Sequence, residues 1–235
     1  MKYSKIISAL FIGLTVTACN YETQVTLYSS DLTKDTEGKP ILAPVTLVGK
    51  GTFSEDDCEK IRGKVEPAVQ RSFQNVEFKG CAKAPDGIDR TVSFSASVPV
   101  YVGSWEDKIG SSEFKGAYGL IVAYEQEIPN IKKVMFTKGA SYDYFAKELD
   151  NALPGSKMSK DGAGITLELH NDMSQKITFS GSSFFVNGTP YGNVGSVNLS
   201  MPNRASIKVK LSDVGAQFLF THGSEIIGAI DFASE

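Results

Sequence analysis

Between residues 91 and 102 the chain reads TVSFSASVPVYV, and no other stretch restricts the fold so strongly. Val92, Phe94, Ala96, Val98, Val100 and Val102 fall on one side of an extended chain, and Thr91, Ser93, Ser95, Ser97 and Tyr101 on the other. Successive side chains of a strand point to opposite faces, so this alternation predicts a sheet with one buried and one wetted face. Pro99 lies on the polar side. Without an N–H for the ladder, it predicts an edge position or a bulge.

Residues 118–124 (YGLIVAY) are continuously apolar and predict a strand buried on both faces. Weaker strands are expected at residues 24–28, 45–53, 76–81, 132–136, 194–199, 207–211 and 226–232. Ile165, Leu167 and Leu169 lead into Asn171-Asp172, and Ile177 and Phe179 lead out, which predicts a hairpin. Asn187-Gly188 is the strongest two-residue hairpin signal in the chain. Cys58, Ile61, Val65, Ala68 or Val69, and Phe73 recur at the helical period behind a Ser54 cap; Gly63 and Pro67 predict a kink or two helical pieces. Ser141 is expected to cap a second helix with Tyr142, Phe145, Leu149 and Leu153 on its apolar stripe, stopped by Pro154-Gly155. Ser212 opens a third, short one that ends near Gly223.

These elements predict an α+β fold of two sheet-based halves, each with a helix packed on antiparallel strands. The first half, residues 19–103, reads β-β-α-β-β. Residues 104–116, rich in glycine and mixed charge, read as a linker, and residues 117–235 as a mostly β unit.

Hydrophobic residues at 41% and charged residues at 22% are ordinary for a packed protein and exclude wholesale disorder. The chain opens MKYSKIISALFIGLTVTAC: Lys2 and Lys5, an apolar run from Ile6 to Val16, then small residues before Cys19. The run is far short of the roughly 20 residues that cross a bilayer, so it reads as a secretory signal. Val16-Thr17-Ala18-Cys19 resembles the lipobox of bacterial lipoproteins. That resemblance implies removal of residues 1–18 and attachment of fatty acyl (palmitoyl) chains to Cys19. Asn20 is not the aspartate that retains enteric lipoproteins at the inner membrane, so the periplasmic side of the outer membrane is expected. Loss of Lys2 and Lys5 from 24 basic residues leaves 22 against 27 acidic ones. This balance argues against nucleic acid and against electrostatic docking on anionic lipid. Membrane contact is expected through the anchor alone.

Two cysteines follow, Cys58 and Cys81, and an even count in an exported chain reads as a disulfide. A redox or metal pair would show C-x-x-C spacing or nearby histidines, and neither is present. Of the two histidines, His170 lies beside the expected turn and His222 at a helix end, and both read as solvated. Glu55, Asp56 and Asp57 read as dipole compensation at a helix start rather than as calcium ligands. No G-x-S-x-G elbow, Walker loop or G-x-G-x-x-G occurs, so no catalytic, cofactor or metal residue is assigned. Trp105, Phe114 and Tyr118 read either as a contact patch or as packing between the halves.

The stretch QVTLYSSDL, the cysteines flanking the first helix, and SFSASVPVYV are together similar to uncharacterised lipoproteins of phages and prophages in enteric bacteria. The resemblance implies a prophage product at the cell envelope. Three functions are open at this point. The leading one is a non-enzymatic binding module contacting another envelope protein, for instance to block a second phage. The others are a structural lipoprotein for envelope or surface-complex assembly, and a hydrolase with its site around His170.

Overall fold

The alternating stretch becomes β4 (Arg90–Ser104), whose inward side chains from Val92 to Val102 are all buried. The computed structural model describes residues 21–107, 114–153, 163–182, 184–191 and 197–232. β4 lies inside the sheet. Antiparallel β2 (Ile41–Gly51) runs along one side, and two strands share the other. β3 (Gln74–Lys83) pairs antiparallel as far as Ser97, and β5 (Tyr118–Tyr124) pairs parallel from Val100 onward. Pro99 falls in the gap between those partners, where β4 has no neighbour on that side awaiting an N–H. The edge position expected from Pro99 is corrected accordingly.

β1 (Tyr21–Tyr28) is antiparallel to β2 and parallel to β7 (Gly164–His170). Beyond β7 come β12 (Ser206–Leu211) and the hairpin of β9 (Phe184–Val186) and β10 (Thr189–Tyr191). Asn187 (φ 47°) and Gly188 (φ 83°) supply the left-handed pair this tight turn requires. On the other side of β5 lie β6 (Ile131–Lys138), β13 (Ser224–Asp231), β8 (Ile177–Gly181) and β11 (Val197–Met201).

β8 and β9 stand near opposite ends of this path, yet Phe184 follows Gly181 by three residues, a reach of about 11 Å. The path must therefore curl until its ends nearly meet, and the sheet becomes a nearly closed barrel. This overturns the α+β reading in two halves. The fold is mostly β, one sheet crosses both parts of the chain, and one buried cluster runs from Tyr21 to Ile230. The expected Asn171-Asp172 hairpin is also overturned: β7 lies between β1 and β12, and β8 between β13 and β11. Asn171 instead donates to the Gln175 and Met201 carbonyls, both at 2.8 Å, which holds the connection across the sheet end.

Three helices pack against the core. α1 (Cys58–Ser72) is one helix, not two pieces. Gly63 and Pro67 both fall on its exposed side, while burial of Ile61, Val65, Ala68 and Val69 outweighs the roughly 3 kcal/mol cost of an internal proline. Phe73, just past α1, meets Phe145 of α2 (Tyr142–Ala152) edge to face at 5.1 Å. Tyr142 in turn stacks on Phe220 of α3 (Asp213–His222) at 5.0 Å. The Ser212 side chain caps α3 by accepting from Gly215 N at 3.1 Å. Ser141 makes no such bond, and the cap expected of it is corrected: its hydroxyl is buried without a partner among the described residues.

Pairing directions define two ends. β4, β5, β7, β9, β11 and β13 run with β1, and the remaining strands run against it. Tyr21 marks the near rim. There the β3–β4 and β8–β9 connections lie, and α3 joins the end of β12 to the start of β13. The β1–β2, β5–β6 and β7–β8 connections and the end of β13 meet at the far rim.

A candidate binding cleft at the far rim

β6 carries Lys132, Val134 and Phe136 at alternate positions, all buried. Lys132 thus occupies the last inward position of an apolar face, with only 5% of its surface exposed. Its ammonium meets the Thr33 carbonyl at 3.4 Å and lies 4.9 Å from the centre of the Tyr124 ring. The Tyr124 hydroxyl donates to Asp35 Oδ2 at 2.8 Å. These groups, with Asn130, Gln175 and Phe232, line a cleft of about 310 Å³.

The cleft is assembled from three far-rim connections. Thr33 and Asp35 come from the β1–β2 segment, which is fastened to β4 by Thr36: its N–H and hydroxyl both donate to the Val102 carbonyl, at 2.8 and 3.1 Å. The β5–β6 turn is closed by Ile131 N–H donating to Ile128 O, and Phe232 N–H donates to Asn130 O at 2.9 Å. Gln175 Nε2 donates to the Phe232 carbonyl at 3.3 Å.

Burial pushes the Lys132 ammonium below the usual lysine range, and the Asp35 carboxylate pulls it back up. A buried cation held by one long hydrogen bond and a ring face keeps donor capacity, since an ammonium has three N–H donors. The arrangement suits an oxygen acceptor such as a carboxylate that reaches Lys132, with Asp35 also on the cleft wall. Strand periodicity alone reads residues 132–136 as a plain strand and does not single out Lys132. The signal was there: in IKKVMF a lysine stands in phase with Val134 and Phe136.

Residues 21–234 match a domain of unknown function, DUF7424. The chain belongs to that family. The match opens on the first residue of β1 and runs past β13, so the domain takes in the whole barrel and both rims. No curated protein and no solved structure matches the chain.

The other singled-out residues are dispersed. Cys19 lies outside the described residues. Cys58 and Cys81 are bridged, with S–S 2.01 Å and Cα–Cα 6.1 Å, tying the start of α1 to β3. Trp105 and Phe114 pack with Ile121, Ala123 and Met135 on the outer face of β5, whereas Tyr118 turns inward against Phe73 and Tyr142. Phe114 and Tyr118 are both buried, yet each also lines the notch of about 320 Å³ at Pro99, where β3 gives way to β5. His170 sits at the far rim, stacked on Tyr28 and 3.6 Å from Glu168. His222 sits at the near rim, stacked on Phe218 at 3.9 Å. The two histidines are thus at opposite ends of the barrel. Glu55 pairs with Arg90 at 2.7 Å, and Asp57 accepts from the Ser54 hydroxyl at 2.6 Å. Among the described residues no three candidate ligands gather into a metal site.

Proposed function

We propose that this protein is a non-enzymatic binding module, held at the bacterial cell envelope by acyl chains on Cys19. Its far rim presents the Lys132 cleft to another envelope protein. One observation carries the reading: the strand directions put Tyr21, two residues beyond Cys19, at one end and the cleft at the other. A tether at Cys19 turns the cleft away from the membrane. The cleft is large enough for a side chain or chain terminus, and Lys132 selects one bearing a carboxylate.

Photo-crosslinking in intact cells tests this. A benzoylphenylalanine at Ile128, exposed at the far rim, is expected to capture one envelope protein, and Lys132→Met to abolish that adduct. An adduct indifferent to Lys132→Met removes the cleft from the account. Labelling with an alkyne fatty acid is expected to mark the parent chain and not Cys19→Ser. In a prophage setting, the partner is a receptor or DNA-entry component of a second phage. Unchanged plating of related phages on a lysogen lacking the gene excludes that version.

A further inference from the structure

α3 closes the near rim, and its outer side is unlike a solvated helix face. Val214 is 79% exposed and Phe218 47%, one helical turn apart, with Gln217, Thr221 and His222 beside them. The helix carries a single carboxylate, Asp213 in its first turn, and no lysine or arginine. A helix side turned to water is ordinarily dense in such charges. Ile226, at the start of β13, is 49% exposed, and Ile88, in the β3–β4 connection, is 79% exposed. These four apolar side chains belong to the same rim as Tyr21. Three lysines of this rim are neutralised by carboxylates: Lys50 pairs with Asp86 at 2.5 Å, Lys138 with Asp143 at 2.7 Å and Lys210 with Glu22 at 3.4 Å.

Two residue steps separate Cys19 from Tyr21, a reach of about 7 Å. An acylated Cys19 lies in the membrane interface, so this rim cannot stand clear of the headgroups. We infer that the Val214–Phe218 side of α3, with Ile226, rests in the interfacial region of the bilayer as a second, apolar contact beside the acyl chains. The contact is driven by burial of apolar surface rather than by charge, since Val214, Phe218 and Ile226 carry none and α3 has no lysine or arginine. The inference rests on the tether proposed above and replaces contact through the anchor alone. It fixes orientation as well: a barrel seated on α3 points the Lys132 cleft straight away from the lipid.

The test uses the purified full-length lipoprotein in phosphatidylethanolamine and phosphatidylglycerol vesicles with brominated acyl chains. Trp105 follows the end of β4 at the far rim and serves as the internal control. Phe218→Trp is expected to lose at least half of its added emission to bromine while Trp105 is unaffected, and Val214→Trp to behave as Phe218→Trp does. Mass spectrometry of the same sample reads the acyl chains on Cys19. Acylated Phe218→Trp protein whose added emission stays unquenched overturns this inference and leaves the tether standing. A Cys19 without acyl chains overturns both. Concentration-dependent dimerisation of Cys19→Ser that Phe218→Asp abolishes assigns the face to a second copy and also overturns it.

Discussion

Phe179 and Phe184 meet edge to face at 5.8 Å, although their strands stand second from opposite ends of the hydrogen-bonded path. Both rings are buried, and Gly181 admits the closeness, since a Cβ there would lie 2.4 Å from the Phe184 ring. The contact is a seam made by side chains where the ladder is interrupted. Phe184→Ala is expected to cost about 3–5 kcal/mol. It should speed amide exchange most in β8, β9, β10 and β11. Phe136→Ala, in the unbroken part of the wall, should lower stability comparably without that regional pattern. Uniform exchange in both variants would reject the seam.

The Cys58–Cys81 bridge fastens the start of α1 to β3, a strand that among the described residues pairs only with β4. A double change to alanine is expected to cost about 3 kcal/mol, or about 6–12 °C in Tm for a chain of this size. Thermal unfolding with and without reductant checks it: reductant should lower the parent to the level of the double variant and leave the variant unmoved.

The Lys50 ammonium beside Asp86, with the Ile88 and Asp89 amides donating to it, holds the Asp86 carboxyl down at about 2. Its folded pKa lies below its unfolded value of 3.8. The stabilising contribution is therefore present above pH 4 and is lost as pH falls through about 2. Asp86→Asn keeps an acceptor for both amides and removes the titration. Its stability should fall less steeply between pH 4 and 2 than that of the parent, by up to one proton in the slope. Parallel curves would show that Asp86 is not linked to folding.

Local pattern carried the individual strands and failed on how they assemble. The alternation from Val92 to Val102, the double burial of 118–124 and the Asn187-Gly188 turn are written in neighbouring residues, and the structure keeps all three. The parallel pairing of Val25 with Leu167 is not, because nothing near either residue records a partner so distant along the chain. Without it, the two parts of the chain read as separate sheets, and β7 and β8 as a hairpin. The cleft was hidden for a related reason: Thr33 and Gln175 come from the β1–β2 and β7–β8 connections, and only the assembled sheet brings them beside Tyr124 and Lys132 at the ends of β5 and β6.

Lys132 offers a sharper test of the cleft, because binding and folding should respond to it in opposite directions. Burial lowers its folded pKa below the ordinary lysine value of 10.5. Wherever both folded and unfolded chains hold the proton, the folded chain bears the whole cost of the desolvated cation. As pH rises toward 10.5 the folded chain releases the proton first, so the parent gains stability across that window. Lys132→Met keeps the aliphatic stem and never bears the cost. It should therefore melt higher than the parent at pH 7, by about 2–4 °C for each kcal/mol recovered. The advantage should shrink by pH 10. A residue kept for stability would show the reverse, a lower Tm for the methionine variant at pH 7. A variant that melts higher yet loses its far-rim adduct marks Lys132 as a group retained for binding at the expense of stability.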